Sequence, residues 1–585
     1  IYNKYERRFC VMSKTNKSSS NAKKHYTVLE ESQFSNFFKL PNDMLQAHLA
    51  RMEHGNSEIY TSPFFGLSKC KDNEEKLSLF KRIVDGWKEI LEDSDLSVKW
   101  PSLMEFENDL LAKVGPMSIQ VPLSERLEDI DSYYESILLD SKPIDEEALQ
   151  AVIEEFSQVR GLRIRDQKRT LEMMKKSTSA GAPFMGKKKD HLDVYPCEVY
   201  SNALYSVKAP KSKGYFFIPE VSYENPKIAK SYYATAVVGW RGQEGGPEPQ
   251  DTKQRVIWMF PFGVNLAELQ WYQPFIEACQ RFSLVPAWVS MDEVDRQITG
   301  LFDTKAPEDL VVCTDFSKFD QHFNRDMQTA AYKVMFRLAQ TGDEDTESWF
   351  TDGPFDAKYN IPLCIGENKI IVGAHGMGSG SGGTNADETV AHRALQHEAA
   401  LRSGAVLNRH SQCLGDDGVL SYPGITVEDV IRAYSSHGQE MNPEKQYAST
   451  QDCVYLRRWH HKDYREHGVC VGVYSTYRAL NRLAMQERFY DEEVWSKEMV
   501  ALRYLSILEN VKYHPLRERF VDYCIKGDKY RLGIDLPGFL DNIDVIAQKA
   551  TEQMPDFLGY TKTMQRETAT GLSSWWIVQY LKSKA

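Results

Sequence analysis

This 585-residue chain lacks the marks of a membrane, secreted or repeat protein. No uninterrupted apolar stretch approaches the roughly 20 residues that span a bilayer, and the N-terminus carries no apolar signal-peptide core, so insertion and secretion are not expected. Ten cysteines are scattered without a CxxC pair, and several, among them Cys279, Cys313, Cys364 and Cys413, stand in apolar runs as buried thiols do. That pattern disfavours a disulfide scaffold and fits a reducing compartment. His460 and His461 have no well-spaced cysteine partners, which disfavours zinc. Internal repeats and low-complexity blocks are absent. An excess of positive charge is also missing: the formal net charge is -12, which excludes wholesale coating of nucleic acid but not a local basic channel.

What is present is a large chain with 42% hydrophobic and 12% aromatic residues, enough for several cores. By length it holds about four domain-sized units. Residues to about Lys24, including Lys14, Lys17, Lys23 and Ser18 to Ser20, show no apolar period and read as a flexible tail, with Met12 the expected start because Ile1 is not an initiator. From Tyr26 to Glu155 the pattern is mixed helical, broken near Pro41, Pro63, Pro101, Pro122 and Pro143, and offers no chemistry. A basic run from Arg160 through Arg165, Arg169 and Lys176 to Lys189 surrounds the small-residue segment Ser177 to Phe184. It suits either a solvated helix face or a groove for a polyanion. The stretch Gly242 to Pro249 reads as a loop. Helical spacing predicts helices over Asn324 to Gln340, over Asn385 to Ser403, and after a capping box at Thr426 that stops at Gly438. Beyond Asp463 the chain reads as mostly helical, ending in Trp575, Trp576 and Tyr580.

The chemistry concentrates in acidic strand ends. Asp416 and Asp417 occupy a tight turn between apolar strands, in Cys413-Leu414-Gly415-Asp416-Asp417-Gly418-Val419, and Asp315 ends the apolar run Val311 to Thr314. Brought together, three carboxylates repel one another and are stable near neutral pH mainly when cations neutralise them. Asp320 follows Asp315 by five positions, after a turn that can fold it back. Between these acidic ends lies the glycine-rich loop Gly376 to Thr384, which opens a helical stretch. Metal, backbone donors and hydroxyls suit phosphate chemistry, with two cations about 3.5–4 Å apart as in nucleotidyl transfer. Each piece alone is also what a plain hairpin or an ordinary turn contains.

The ordered set Asp315-Phe316-Ser317-Lys318-Phe319-Asp320, Ser379-Gly380-Ser381-Gly382-Gly383-Thr384-Asn385 and Gly415-Asp416-Asp417 resembles motifs A, B and C of viral RNA-dependent RNA polymerases, including those of picobirnaviruses. The resemblance extends from about Ser177 to His460 and implies an α+β right-hand fold, with an antiparallel palm sheet flanked by helices. It implies an N-terminal extension at 1–65, fingers at 66–262 and 330–375, palm at 263–329 and 376–462, and a thumb with C-terminal tail at 463–585. The implied activity is template-directed RNA synthesis for a double-stranded RNA genome, with two Mg2+ or Mn2+ ions on Asp315, Asp416 and Asp417.

Carried over by position, Asp320 reads the ribose 2′-hydroxyl, and Ser379, Thr384 and Asn385 face the nucleotide. Gly380 allows close backbone approach to template and base pair. Lys253 and Arg255 resemble motif F over the triphosphate, and Lys445 the motif D lysine that protonates departing diphosphate. Ser177, Thr178, Gly181 and Pro183 resemble motif G along the template, and Arg457 and Arg458 motif E at the primer strand. As bare residues, these basic positions equally suit solvated surface. Glu388 departs from the family, where many members carry Asn, so either Asn385 or Asp387 takes over or sugar selection is arranged differently. The implied partners are template RNA, nascent RNA, ribonucleoside triphosphates and a capsid protein, for a monomer acting without a membrane in the virion interior and host cytoplasm. Reverse transcription, or a catalytically dead RNA-binding virion protein, are the alternatives; Asp320, Gly415 and the retained carboxylates count against them.

Overall fold

Side-chain caps and strand registers set the architecture of the computed structural model, which describes residues 26–30, 43–182, 185–192, 235–351, 354–367, 369–491, 493–553 and 571–585. The N-terminal tail with Met12, Pro41, Pro183, Phe184 and Cys197 lie outside the described residues. Strand β1 (Thr27–Glu30) precedes helices α1 (Asn73–Asp93), α2 (Pro101–Leu111), α3 (Leu127–Glu135) and α4 (Glu146–Glu155). Asp72 starts α1 by accepting from the Glu75 amide at 2.9 Å, and Pro101 begins α2 where its missing N–H costs nothing.

A hairpin of β2 (Ala236–Gln243) and β3 (Lys253–Met259) leads into α5 (Phe262–Arg281) and α6 (Met291–Thr304). The loop expected from Gly242 begins two residues later, because Gly242 and Gln243 still pair with Gln254 and Lys253. Strand β4 (Val311–Thr314) is followed by α7 (Arg325–Leu338), strands β5 (Leu363–Gly366) and β6 (Lys369–Val372), and α8 (Thr384–Arg402). Next come the hairpin β7 (Gln412–Leu414) and β8 (Asp417–Leu420), α9 (Val427–Ser435), and strands β9 (Tyr447–Ser449), β10 (Asp452–Tyr455), β11 (Arg458–His461) and β12 (Val473–Tyr474). Thr426 caps α9 through the Asp429 amide, as its sequence predicts. Helices α10 (Thr476–Ala484), α11 (Lys497–Leu508), α12 (Arg517–Lys526), α13 (Ile543–Gln553) and α14 (Trp576–Ser583) complete the chain. Before α10 the chain is less helical than its composition suggests. His467 and Gly468 both take positive φ, which makes the two-residue turn of a short hairpin, Arg465–Glu466 with Val469–Cys470.

Two sheets frame the site. One has the order β1-β6-β5-β2-β3; the other, β7-β8-β4-β9, is antiparallel throughout. Beneath the second sheet, α4, α5, α7, α8 and α9 bury Val152, Trp271, Met335, Val390 and Tyr434. A separate core joins the two ends of the chain: Trp87 and Leu103 pack with Leu480, Leu505, Phe520 and Leu581. The aromatic tail belongs to this core. Ile577, Val578 and Leu581 of α14 are buried, and the Glu509 carboxylate accepts from the amides of Trp576 and Ile577. All eight described cysteines are free thiols, seven of them buried. No helix among the described residues is long and apolar enough to cross a membrane.

Candidate active site

The register of the antiparallel sheet brings the acidic strand ends together. Thr314 pairs with Gly418 and Leu414 with Asp417, so Asp315 at the end of β4 lies beside the turn that carries Asp416. Gly415 holds a φ of 57°, a left-handed conformation that favours glycine, and this lets the turn close in so few residues. Gln446 fixes Asp315 from the other side: its side chain accepts from the Asp315 amide and donates to the Asp315 carbonyl, both at 2.8 Å. Lys318, also left-handed at 51°, turns the chain so that Asp320 comes back over the same face. The Asp320 carbonyl then accepts from the Met377 amide at 2.8 Å, tying this turn to the glycine loop.

Burial raises the Asp315 carboxyl above the ordinary carboxylate range, while Lys445, Lys113 and Lys253 pull it back. Asp416 is raised by burial and by the charges of Asp320 and Asp315, against Arg255. Asp417 is pushed up to about 7 by burial and by Asp416, and its carboxylate accepts from the Leu456 amide at 2.8 Å. A cation would relieve this crowding. Among the described residues, no group of three or more His, Cys, Asp or Glu is poised to hold a metal alone. Two carboxylates nevertheless fit magnesium, which is usually held by one or two of them together with water and substrate phosphates.

The glycine loop packs on protein. A side chain on Gly380 would stand 1.6 Å from the Trp258 carbonyl oxygen of β3, and one on Gly383 would strike the Tyr272 ring of α5. The absence of a side chain at Gly380 is thus required by the packing of β3 against it. Ser379 accepts from the Trp258 amide at 3.3 Å, and the Thr384 hydroxyl donates to the Gly378 carbonyl at 3.0 Å. Glu268, an acid on the apolar face of α5, is fully buried and accepts from the Ser381 hydroxyl, the Gly382 amide and Asn265. Burial pushes Glu268 up to about 7.

At the start of α8 the residues divide. Asp387 is buried away from the acidic turn, in an ion pair with Lys358 at 3.0 Å and accepting from the Tyr272 and Tyr359 hydroxyls at 2.5 Å each. It therefore does not replace the missing asparagine. Asn385 and Glu388 both face Gly415, at 3.9 and 3.6 Å from where its Cβ would stand, and Asn385 Oδ1 accepts from the Trp288 indole N–H at 2.7 Å. Glu388 is held well above the carboxylate range by burial and then by the charge of Asp320.

The basic residues also divide. Lys253 and Arg255 are exposed on β3. Arg457 is exposed in the turn between β10 and β11, where burial of its head group and the nearby Arg478, Arg482 and Arg255 lower it to about 10. Glu244 is the carboxylate among them, paired with Arg478 and with Arg482 at 3.5 Å. Arg458 departs from expectation: it is buried, and both terminal nitrogens donate to Asp295 of α6, at 2.9 and 3.0 Å. His460 also bonds Asp295, at 2.8 Å. Arg458 thus holds β11 to α6 and is not available to grip a primer strand. Lys445 is exposed next to β9. In the basic run, Lys188 is buried and donates to Thr178 Oγ1 at 2.7 Å and to the Ser179 carbonyl at 2.8 Å, which braces the small-residue segment. Gly181 in that segment has a φ of 65° against Phe260, and the buried Ser177 hydroxyl has no partner among the described residues.

Gln446, Glu268 and Lys113 are the positions sequence reasoning missed. Glu268 had one signal, an acid inside an otherwise apolar helix face; the other two had none.

A carboxylate pair at adjoining antiparallel strand ends, within reach of the charges of Lys253 and Arg255, is the arrangement of a template-directed nucleotidyltransferase. Residues 127–524 match the family described as viral RNA-dependent RNA polymerase, and the chain belongs to that family. It is 54% identical, over 94% of its length and 98% of the relative's, to a protein of a human picobirnavirus described as a potential RNA-dependent RNA polymerase. The crystal structure of a human picobirnavirus RNA-dependent RNA polymerase matches with a TM-score of 0.81 at 52% identity, covering 94% of this chain and 99% of that one. An insertion-loop deletion mutant of such a polymerase matches at 0.80 and 50% identity, with the same coverage. Reverse transcription and a dead RNA-binding protein give way to this family.

Proposed function

We propose that Asp315 and Asp416 hold two divalent cations, magnesium or manganese, on which this polymerase joins ribonucleotides along an RNA template. The observation that carries this reading is the pairing of Thr314 with Gly418, which sets the two carboxylates side by side. When bound, the cations supply charge neutralisation for the attacking 3′-hydroxyl and the departing diphosphate. Asp417, bonded to the Leu456 amide, supports the turn from behind. Lys253 and Arg255 offset the triphosphate charge, which stabilises what accumulates on the leaving group. Lys445, exposed and near Asp315, donates a proton to the departing diphosphate. Asp320 accepts from the ribose 2′-hydroxyl, with Glu388 beside it where many family members carry an asparagine.

Template and nascent RNA pass between the Ser177 to Gly181 segment and Arg457, recognised by phosphate and shape. We assign residues 66–262 and 330–375 to fingers, 263–329 and 376–462 to palm and 463–585 to thumb. The enzyme acts as a monomer in the virion interior and the host cytoplasm, with the capsid protein as a partner; the buried free thiols fit a reducing compartment.

The test is purified protein with an unprimed RNA template, labelled ribonucleotides and magnesium, with deoxyribonucleotides as the contrast. Template-dependent ribonucleotide incorporation is expected, and its absence under both primed and unprimed conditions would end the reading. Asp320→Ala is expected to narrow the preference for ribo- over deoxyribonucleotides by about tenfold, the scale of one charge-assisted hydrogen bond. Selectivity equal to the parent would remove Asp320 from sugar recognition.

A further inference from the structure

Lys113 follows α2, in a part of the chain from which no chemistry could be read. The segment after it is pinned between two elements of the site. The Gly115 amide donates to Asn481 Oδ1 of α10 at 2.8 Å, and Thr252, just before β3, donates its hydroxyl to the Pro116 carbonyl at 3.1 Å. A side chain on Gly115 would stand 1.7 Å from the Gly246 carbonyl oxygen, so glycine lets this segment lie directly on the loop between β2 and β3. Gln254 of β3 closes the contact, donating to the Ile119 carbonyl at 2.7 Å and accepting from the Val121 amide at 3.1 Å.

This clamp fixes where Lys113 stands. The residue is exposed, and its ammonium makes no ion pair or hydrogen bond among the described residues. The contacts of Gly115 with Gly246 and of Pro116 with Thr252 set it beside the hairpin that carries Lys253, whose ammonium feels its charge. An unpaired cation held close to other cations is unfavourable in the free protein. The arrangement is accounted for by a polyanion that bridges them.

We propose that Lys113 is a nucleotide-binding residue, whose ammonium donates to the non-bridging oxygens of the polyphosphate tail lying between Asp315 and Lys253. This rests on the polymerase reading of the site. The tail bears the charge that leaves as diphosphate, and Lys113 approaches it from the N-terminal segment while Lys253 and Arg255 approach from the hairpin. One lysine at this point therefore couples the N-terminal segment to substrate binding.

The test compares the full chain with Lys113→Ala and Lys113→Arg, using calorimetric titration with inorganic diphosphate in magnesium, filter binding of RNA, and primed extension. Lys113→Ala is expected to weaken diphosphate binding about tenfold and to raise KM for ribonucleotide about tenfold, with kcat and RNA affinity within about twofold. Lys113→Arg, which keeps the charge, should restore most of both losses. Diphosphate affinity unchanged in Lys113→Ala would overturn the assignment, as would a loss of RNA affinity in its place, which would make Lys113 a contact of the RNA backbone. A parent chain that binds diphosphate through Lys113 yet extends no RNA would leave the assignment standing and count against the polymerase reading instead.

Discussion

Asp416→Asn should lower nucleotide incorporation by on the order of 10³-fold or more while leaving RNA affinity within about twofold. The substitution keeps the shape of the side chain and the left-handed turn at Gly415, so β7 and β8 retain their register. What is lost is one of two charges at the point where cations bind. The same change should not cost stability. Asp416 lies within reach of the charges of Asp320 and Asp315, and the three repel in the absence of cations, so the variant is expected to melt at the parent's temperature or above it. Activity near the parent level would remove this turn from the mechanism. A large drop in melting temperature would show instead that the carboxylate is a structural group.

The second large effect concerns stability. Lys358 and Asp387 are both fully buried, 3.0 Å apart, and the Lys358 ammonium also lies 3.7 Å from the Phe355 ring centroid. Removing one partner of a buried pair leaves the other charge uncompensated. Lys358→Met should therefore destabilise the protein by about 3–5 kcal/mol. Because Asp387 belongs to the first turn of α8, its loss of position should also loosen the glycine loop that precedes the helix. The check is thermal and urea unfolding of Lys358→Met, of Asp387→Leu and of the double variant. The double variant is expected to recover part of the loss, since replacing both charges by apolar groups removes the desolvation penalty of the ions while leaving the Tyr272 and Tyr359 hydroxyls without their acceptor. Equal losses that simply add would show that the two residues stabilise the fold independently.

The parts of the site that read well from sequence are those governed by local rules. An apolar run ending in Asp315, a glycine before two aspartates and a threonine cap at 426 each dictate their own geometry within a few residues. The helices at 325–338 and 384–402 follow from periodicity in the same way. What could not be read depends on which distant element lies opposite. Arg458 looks like any other basic residue until its partner Asp295, 163 positions earlier, is seen to take both terminal nitrogens. Gly380 is a glycine in a glycine-rich loop, and only the packing of β3 against it tells that its empty space is filled by a carbonyl. Glu388 was visible as a departure from the family pattern, yet only its burial beside Asp320 indicates how it is accommodated. Lys113 had no pattern at all, because its position is set by contacts of its neighbours with residues on β3 and α10.

The core shared by α1 and α2 with the last helices bears on how the chain reaches its folded state. Trp87, Leu91 and Leu103 leave the ribosome hundreds of residues before the surfaces that cover them, around Leu505, Phe520 and Leu581. Until then the first helices carry apolar surface with nothing to bury it, a condition that favours aggregation of incomplete chains. Closure is expected to be a late step, governed by contacts between residues nearly 500 positions apart, and premature termination anywhere before α14 would leave the amino-terminal helices uncovered.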